Sequence, residues 1–549
     1  MRNTIQTPLD MLYHWEREKP AATFLRQPKA LHWTEYSWAE VGDAARRVAA
    51  YLHAQNFPVG SCIAIWSGNS KDWVIADLAI MMAGHVSVPI FPAQDADTIR
   101  YVLAHCEARL MFIGAVDNAH RVDEIVTGDI RRVGLLGATC PVSVTLDEVL
   151  AHNAPITHSP RPDPDALATL MYTSGTTGNP KGVMHTQATF GAVVPEIASV
   201  ARQTPGDCTL FSYLPMAHIA ERVLIEMQAL YMGGTISFSE GLTTFAEELR
   251  SVQPTYFFSV PRLWTKFKET IDARVPPAAQ KHLPEEAKAG IRQLLGLANA
   301  RFVFTGSAPC PGEVQRTFID LGIVLRDGYG MTENCVHGCI WVKDDNPLVG
   351  CCGQPALSVM VRLGEENEVQ FKGPGLMKGY YKEPEKSAAA FVDGWYRTGD
   401  TGRFDADGNL WVTGRISEVF KTTKGEYIKP SILEDRLAGC TLLEQVCVFG
   451  QGLNQPVAVA SLSQNGKSQE RTNVTQVLTA FLETMNADLS GHERIPKLFI
   501  TQDEWTPESG FLTPTLKLKR KAIEAQYRDW VERAQSSPQS IHFESETVR

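Results

Sequence analysis

The sequence predicts an α/β protein with two domains, and three observations support this prediction. The chain has 549 residues, which is more than one hydrophobic core usually serves. Strand-like and helix-like segments alternate through most of it, as they do in layered α/β folds. After Trp411 the strands become shorter and alternate with Glu- and Leu-rich helical segments. We therefore predict a large domain over residues 1–414 and a small α+β domain over residues 415–549, and we expect the polar tail after Ala534 to fray.

The predicted strands of the large domain end at small and polar residues. They include residues 167–172, 255–260, 301–306 and 323–327, and a helical pattern runs from Thr186 to Arg202. Binding sites of α/β sheets form at the carboxyl ends of the strands. We therefore expect the functional residues to lie in the segments that follow these strands.

The composition is that of an ordinary globular protein. Hydrophobic residues make up 44% and charged residues 21% of the chain, which excludes a disordered or fibrous protein. The formal net charge of −10 argues against a nucleic-acid-binding protein, which usually has a basic face. An anionic substrate stays possible, because a phosphate site needs only local backbone amides and one or two cations.

The N-terminal segment and the hydrophobic stretches argue for a cytoplasmic location. No apolar run follows the early arginine, so we expect no signal peptide. The most hydrophobic stretch, residues 74–88, is interrupted by Asp77 and His85 and is too short to span a bilayer, which takes about 20 residues. Peripheral contact with a membrane surface and the oligomeric state stay open.

Five Cys and His residues, which are zinc-ligand types, lie between positions 335 and 352. They are Cys335, His337, Cys339, Cys351 and Cys352. Their spacing matches no familiar zinc pattern, and the eleven cysteines of the chain include no CxxC pair. We favour reduced thiols without a metal at these positions.

The strongest motif is YTSGTTGNPKGVMH, over residues 172–185, and its Gly, Ser and Thr residues follow a predicted strand and precede a predicted helix. Its glycines allow tight turns and close approach of the backbone to an anion, and its amides and hydroxyls can surround phosphate oxygens. It differs from a Walker A loop because Asn179 and Pro180 separate Gly178 from Lys181. A polar surface loop is the alternative, but so long a match favours a phosphate loop. The candidate ligands are Thr173, Ser174, Gly175, Thr176, Thr177, Gly178 and Lys181.

With this motif the chain resembles the adenylate-forming, or AMP-binding, superfamily, and most closely its long-chain fatty acyl-CoA synthetases. Further motifs of that superfamily follow in the same order over nearly the whole chain. They are DGYGMTE at 327–333, YRTGD at 396–400, TGRISEVFKTTKGEYIKPSILE at 413–434 and TPTLKLKRKAI at 513–523. The resemblance implies a small distorted barrel in the large domain and a mobile C-terminal domain that carries a catalytic lysine.

These motifs also have a physical interpretation that agrees with the roles that the resemblance implies. Tyr329 can stack on a nucleotide base, Thr332 can bond a phosphate, and Glu333 offers Mg²⁺ a hard oxygen, with Thr176 as the second candidate metal ligand. The carboxylate of Asp400 can accept hydrogen bonds from two ribose hydroxyls. The remaining candidate nucleotide contacts are Gly306, Ser307, Ala308, Asp327, Gly328, Gly330 and Arg415.

Lysine and histidine candidates complete the predicted site. Lys517 is the candidate for adenylation, because a cation offsets the repulsion between a carboxylate and the α-phosphate. The register of the motif favours Lys517 over Lys519, and a solvated basic stretch is the alternative. His218, in LPMAHIAER, is expected to shape or gate the acyl pocket, or to be a packed core residue. Ser417 stands at the hinge position where the family usually has Asp or Lys.

The resemblance implies a ligase that uses ATP, Mg²⁺ and coenzyme A. A carboxylic acid, expected to be a medium- to long-chain fatty acid, is converted to acyl-AMP and then to a CoA thioester. Two alternatives stay open at this point. One is an acyl-AMP ligase that transfers to a carrier-protein thiol, for which Ser417 and the lysine-rich segment at 421–425 leave room. The other is a catalytically silent nucleotide-binding protein.

Overall fold

The protein is described here by a computed structural model that covers residues 5–173, 179–343, 346–507, 509–513 and 516–544. The chain divides into two compact units, each made of several segments. The first unit comprises Met1–Cys310, Val314–Val361 and Phe371–Tyr396. The second comprises Pro311–Glu313, Arg362–Gln370 and Arg397–Arg549. The domain boundary between residues 414 and 415 stays a prediction.

A seven-stranded sheet lies in the first unit, and all but its last pair of neighbours are parallel. Its central strands Cys62–Trp66 and Val86–Ile90 are buried along their whole length, because helices cover both faces of a parallel sheet. In spatial order the strands are Val144–Thr145, Arg131–Gly134, Leu110–Ile113, Cys62–Trp66, Val86–Ile90, Leu167–Thr173 and Lys181–Thr186.

Two further sheets complete the strand framework of the first unit. A five-stranded sheet runs in the order Tyr256–Ser259, Phe302–Thr305, Leu325–Tyr329, Cys339–Ile340 and Gln354–Pro355. A four-stranded sheet runs in the order Thr209–Ser212, Thr235–Phe238, Thr23–Lys29 and His32–Ser37. The four strands predicted from the sequence, which begin at residues 167, 255, 301 and 323, therefore agree with the structure to within two residues at each end. The predicted α/β fold class is confirmed.

Shorter sheets follow towards the C-terminus. One has the strands Met360–Leu363, Glu368–Lys372, Trp395–Phe404 and Phe391–Val392 in order, with Leu410–Arg415 paired to Trp395–Phe404. A two-stranded hairpin joins Phe420–Lys421 and Tyr427–Ile428. The last sheet has the order Leu443–Phe449, Val457–Leu462, Leu498–Thr501 and Ile541–Phe543.

Helices pack against these sheets, and polar side chains cap several of them. Thr186, for example, accepts a hydrogen bond from the amide of Thr189 and so begins Gln187–Val200, as an N-cap residue does. The α-helices are Pro8–Glu18, Trp38–Ala54, Lys71–Met82, Ala96–Cys106, Val122–Ile125, Leu146–His152, Gln187–Val200, Ile219–Glu221, Gln228–Met232, Phe245–Val252, Pro261–Asp272, Pro277–Gln280, Glu285–Leu294, Gly312–Asp320, Pro384–Ala389, Pro430–Leu437, Gln464–Lys467, Arg471–Ala487 and Arg520–Arg533. Short 3₁₀ turns lie at Ala119–Arg121, Thr332–Asn334, Glu365–Asn367 and Ile416–Glu418.

Two local predictions from the sequence are wrong. The phosphate loop was expected to lie between a strand and a helix, but a strand, Lys181–Thr186, comes between the loop and the helix. It pairs antiparallel with Leu167–Thr173, so the loop closes a β-hairpin. The polar tail after residue 534 was expected to fray, but Ile541–Phe543 adds a parallel strand next to Leu498–Thr501.

The hydrophobic stretch around residues 74–82 is a buried core helix. Every residue from Asp72 to Met82 is buried in Lys71–Met82, which explains why this segment shows no polar face. Among the helices that the structure describes, none is long and apolar enough to cross a bilayer.

A buried arginine connects this helix with the adjacent sheet and with a second helical segment. The guanidinium of Arg222 donates two hydrogen bonds of 2.6 Å to the carboxylate of Asp77 and one of 2.6 Å to the hydroxyl of Thr169. Arg222 and Asp77 are fully buried. Arg222 lies in the π-helical turn Arg222–Met227, within a helical stretch over residues 219–232. The carboxylate of Glu226 lies 3.6 Å from its Nε, and burial raises the pKa of Glu226 well above the usual range.

A buried histidine connects the seven-stranded sheet with the turn after Leu325–Tyr329. Nε2 of His185 lies 2.7 Å from the carbonyl oxygen of Thr332, so this nitrogen carries the proton and donates it. His185 is fully buried, and burial lowers its pKa to about 4. The last residue of the phosphate-loop motif thereby fixes the backbone of the GYGMTE motif.

The first prediction concerns the Arg222–Asp77 pair. We expect Arg222→Met to lower the free energy of unfolding by about 3–5 kcal/mol, because Asp77 is left as a buried charge without a counterion. Chemical denaturation measures the loss. Adding Asp77→Leu should recover part of it. Arg301→Met, which removes the exposed Arg301–Asp207 pair, is the matched control and should cost less than about 1 kcal/mol. A similar loss in both single variants would contradict the prediction.

The second prediction concerns the pH dependence of stability. The pKa of His185 is lowered from 6.5 to about 4 in the folded chain, so the unfolded chain binds more protons at this position between these pH values. The free energy of unfolding should therefore fall as the pH drops from 6.5 towards 4, by about 3 kcal/mol from this residue. His185→Gln keeps a donor but does not titrate. Denaturation curves of the two proteins at pH 7.5 and pH 4.5 should differ by this contribution, and parallel pH profiles would refute it.

Candidate functional site

The two ends of the predicted phosphate loop lie opposite each other on neighbouring strands. Thr173 ends one strand, Lys181 begins the next, and the two residues are paired. The other candidate loop residues lie outside the described residues, so their phosphate-binding role stays a prediction. They are Ser174, Gly175, Thr176, Thr177 and Gly178.

Lys181 and Glu333, which are far apart in the sequence, contact the same tyrosine. The ammonium group of Lys181 lies 4.4 Å from the centre of the Tyr380 ring, within the range of a cation–π contact. The hydroxyl of Tyr380 donates a hydrogen bond of 3.0 Å to Oε1 of Glu333. Burial raises the pKa of Tyr380, so it remains a hydrogen-bond donor. The predicted phosphate cation and the predicted metal ligand are therefore assembled around one side chain.

The segment that carries Tyr380 is attached to both motifs by its backbone. The amide of Tyr381 donates to the carbonyl of Gly182, and the amide of Met377 donates to the carbonyl of Glu333, each over 2.8 Å. Sequence analysis missed Tyr380, since nothing in the spacing of KGYYKE indicates a role. Its place follows from strand-like pairing with Lys181–Thr186, which is a tertiary contact.

The candidate nucleotide wall is formed by backbone segments in close contact. A Cβ atom on Gly306 would lie 3.0 Å from the carbonyl oxygen of Gly328, and one on Gly330 would lie 2.7 Å from the backbone of Val336. Larger residues would push these segments apart. Ser307 has a φ of +69° and is half-buried, whereas Ala308 is exposed.

The strand Leu325–Tyr329 brings its two predicted side chains to this wall. Asp327 is buried and is paired with Thr305 on the neighbouring strand. The Tyr329 ring packs against Phe371 with ring centres 5.5 Å apart. The hydroxyl of Thr305, which sequence analysis did not single out, is buried and has no hydrogen-bond partner among the described residues.

An apolar cavity begins at this wall and lies between the five-stranded sheet and two helical segments. It is lined mostly by aliphatic and aromatic side chains, together with the backbone of Gly306 and Gly328. Its lining is Ile197, Val200, Ala220, Leu224, Tyr256, Phe258, Phe302, Phe304, Thr305, Gly306, Ser307, Gly328, Tyr329, Gly330, Val336, His337, Gly338, Cys339, Ile340 and Ala356. Such a cavity suits an apolar part of a ligand.

His218 lies at the start of the helical stretch that forms one wall of this cavity. It is half-buried, and its Nδ1 accepts a hydrogen bond of 3.1 Å from the amide of Ala220. Ala220 and Leu224, on the same stretch, line the cavity. His218 thus caps the wall helix, and its predicted role in gating the pocket stays a prediction.

The cysteine-rich segment does not assemble a metal site in the part of the chain that the structure describes. No group of three or more His, Cys, Asp or Glu side chains there is arranged to hold a metal ion. Burial raises the pKa of Cys335 to about 12 and also raises that of Cys339, so both remain thiols, which are poor ligands. Glu333 suits Mg²⁺, which takes one or two carboxylates together with phosphate oxygens.

Asp400 and Arg415 are neighbours within the second unit. They are paired across the strands Trp395–Phe404 and Leu410–Arg415, and Nε of Arg415 donates a hydrogen bond of 2.7 Å to Oδ1 of Asp400. Asp400 is buried. The predicted ribose ligands, which are 15 positions apart in the sequence, are thus held together by a salt bridge.

Lys517 is exposed and lies in the second unit, beside Leu518, which pairs with Leu512. The carbonyl of Lys517 accepts a hydrogen bond of 2.8 Å from the amide of Thr513. Lys519 is also exposed and stands at the N-cap position of Arg520–Arg533, so exposure alone does not distinguish the two lysines. Ser417 lies in the 3₁₀ turn Ile416–Glu418, next to Glu418, whose carboxylate lies 3.3 Å from Arg520.

Comparison with known families identifies both parts of the chain. The profile of the family described as AMP-binding enzyme matches residues 12–381. The profile described as AMP-binding enzyme C-terminal domain matches residues 418–538.

The chain is similar to named enzymes over most of its length. It is 28% identical to long-chain-fatty-acid–CoA ligase FadD15 of Mycobacterium bovis, over 95% of this chain and 96% of that protein. It is 27% identical to long chain acyl-CoA synthetase 7, peroxisomal, of Arabidopsis thaliana, over 90% of this chain and 81% of that protein.

Solved structures share the fold. The adenylation domain of the carboxylate reductase from Mycobacterium chelonae has a TM-score of 0.79 at 22% identity, over 98% of this chain and 92% of that chain. O-succinylbenzoate coenzyme A synthetase from Bacillus subtilis, in complex with AMP, has a TM-score of 0.74 at 21% identity, over 94% of this chain and 98% of that chain. Because the first family profile spans more than half of the sequence, this chain belongs to the AMP-binding enzyme family.

Proposed function

We propose that this protein is an AMP-forming acid–thiol ligase that activates a medium- to long-chain fatty acid with ATP and transfers the acyl group to coenzyme A. The observation that carries the proposal is the assembly of Lys181 and Glu333 around Tyr380 in the same unit as an apolar cavity. The names of the relatives, which are long-chain fatty acid–CoA ligases, support the choice of acid and thiol.

In the first half-reaction a carboxylate oxygen attacks the α-phosphorus of ATP and pyrophosphate leaves. Lys181, Thr173 and the loop between them bind the phosphate oxygens, and Lys181 offsets part of their charge. Glu333, with Thr176 as a second candidate, would hold Mg²⁺. When bound, that ion neutralises phosphate charge. The hydrogen bond from Tyr380 orients the Glu333 carboxylate.

In the second half-reaction the sulfur of coenzyme A attacks the acyl carbon, the thiol proton is lost, and AMP leaves. The apolar walls of the cavity exclude water, which would otherwise hydrolyse the mixed anhydride. Asp400 and Arg415 are assigned to the ribose, Tyr329 to the adenine base, and Lys517 to adenylation. A cytoplasmic location stays a prediction from the N-terminal sequence.

The proposed function is tested by pyrophosphate release across straight-chain, branched and aromatic acids, with and without coenzyme A. Turnover that requires coenzyme A and rises with the length of a straight chain would support the proposal. Slow release that does not depend on coenzyme A would indicate a carrier-protein acceptor instead. If no acid in the panel gives pyrophosphate release, the ligase activity itself is contradicted.

The third prediction separates the two half-reactions at Lys517. We expect Lys517→Ala to reduce the rate of adenylation by about 10²-fold or more, since it removes the cation that offsets the carboxylate–phosphate repulsion. Thiol transfer from supplied acyl-AMP should be spared. Lys519→Ala is the matched control and should leave adenylation within a fewfold of the wild type. Equal loss of both half-reactions in Lys517→Ala would mean that the wrong lysine or the wrong role has been assigned.

The fourth prediction concerns Glu333 and Tyr380. Glu333→Ala should lower kcat/KM for MgATP by about 10²-fold or more, because the proposed metal ligand is lost. Tyr380→Phe keeps the ring beside Lys181 and removes only the hydroxyl that orients Glu333, so a loss of about tenfold is expected. Titration with Mg²⁺ should show a raised requirement in both variants. Wild-type Mg²⁺ dependence in Glu333→Ala would remove this residue from the metal site.

A further inference from the structure

The strand that leads into the predicted phosphate loop is held by a histidine from a helix. The hydroxyl of Tyr172, the first residue of the loop motif, lies 2.7 Å from Nδ1 of His105. His105 lies in the last turn of the helix Ala96–Cys106, and nothing in the sequence around it indicated this contact. Because Tyr172 directly precedes Thr173, the contact acts at the point where the loop begins.

Both groups are in a protonation state that allows this hydrogen bond at neutral pH. Burial raises the pKa of Tyr172 above its usual range, so the hydroxyl keeps its proton. Burial, and after it the charge of Lys382, lower the pKa of His105, so the imidazole is neutral. A neutral imidazole has one donor and one acceptor nitrogen, and a hydroxyl can both donate and accept. The bond therefore forms with either tautomer of the ring.

Aromatic contacts fix the orientation of this imidazole. The ring of His105 stacks on Tyr101, with ring centres 5.3 Å apart and an interplanar angle of 15°. The rings of Tyr172 and Tyr381 meet it edge-on, with centres 5.8 Å and 5.9 Å away. Stacked and edge-to-face pairs at these distances are the favourable arrangements of aromatic rings. His105 thus contacts side chains from two distant segments at once.

The second strand at the base of the loop is connected to the same histidine. The amide of Tyr381 donates a hydrogen bond of 2.8 Å to the carbonyl of Gly182, which directly follows Lys181. The next residue, Lys382, donates a hydrogen bond of 3.0 Å to the carbonyl of His105, as a cation near a helix C-terminus can. The strand that begins at Lys181 is therefore attached, through this segment, to the end of the same helix.

We propose that His105 is a positioning residue for ATP, because it fixes the two strands between which the phosphate loop closes. The proposal rests on the proposed function, in which Thr173 and Lys181 bind phosphate oxygens. His105 is assigned no contact with ATP itself and acts through Tyr172 and the segment at residues 381–382. Several groups bind the phosphates together, so a small displacement of either strand weakens the binding of ATP as a whole.

The test measures the dissociation constant of MgATP by titration calorimetry, which does not depend on the identity of the acid. His105→Phe keeps a ring beside Tyr101 and removes the hydrogen bond, so we expect the dissociation constant to rise by about fivefold to tenfold. The amide of His105→Asn offers a donor and an acceptor, and the rise should be smaller there. The matched control is His152→Phe, which should leave the constant unchanged. His152 also lies in the last turn of a helix and is bonded through Nδ1, to the carbonyl of Glu148.

A second variant and the kinetics separate positioning from a general loss of structure. Tyr172→Phe should raise the dissociation constant of MgATP as His105→Phe does, and the double variant should lose no more than either single variant. With an acid that the wild type uses, KM for MgATP should rise in His105→Phe while KM for the acid stays unchanged.

Unchanged dissociation constants in His105→Phe and Tyr172→Phe would overturn the proposal. An equal rise in KM for MgATP and for the acid would also overturn it, since His105 would then have a structural role only. Wild-type binding of MgATP without pyrophosphate release from any acid would contradict the proposed function instead. The ratio of dissociation constants between His105→Phe and the wild type would still decide the role of His105.

Discussion

The buried contact between Arg222 and Asp77 is the interaction on which the first unit depends most. Burying a guanidinium is costly, and it is offset here by two hydrogen bonds to Asp77, one to Thr169 and contacts with aromatic rings. These partners lie on a core helix and on the strand that leads into the phosphate loop. The π-helical turn that carries Arg222 also carries Leu224, which lines the cavity. One cation therefore fixes the wall of the cavity relative to the strand that leads into the predicted phosphate loop.

A second layer of contacts joins motifs that lie far apart in the sequence. His185, at the end of the phosphate-loop motif, bonds the backbone of Thr332. Tyr380 lies between Lys181 and Glu333. Both are hydrogen-bonding groups in buried surroundings, where such bonds are stronger than in water and misplacement is more costly. Buried hydrogen bonds of this kind hold the groups that they orient to within a fraction of an ångström. Electrostatic catalysis of phosphoryl transfer requires this precision.

In the proposed function, the apolar walls of the cavity exclude water from a reactive anhydride and bind an acyl chain without directional contacts. A purely apolar surface discriminates only weakly between chains that differ by one small group. Affinity for the chain then comes from the hydrophobic surface as a whole.

The sequence by itself determined the fold class, the strand ends that carry the site, and the order of the motifs, because hydrophobic periodicity and runs of Gly, Ser and Thr are local signals. It also nominated Lys181, Glu333 and the Asp400–Arg415 pair. It did not indicate Tyr380, and it placed a helix directly after the phosphate loop, where the structure has a strand. These features depend on which segments meet across the sheets, and a partner from a distant segment leaves no periodicity in the local sequence. Only the tertiary structure decided them, because burial and hydrogen-bond pairing are properties of the assembled chain.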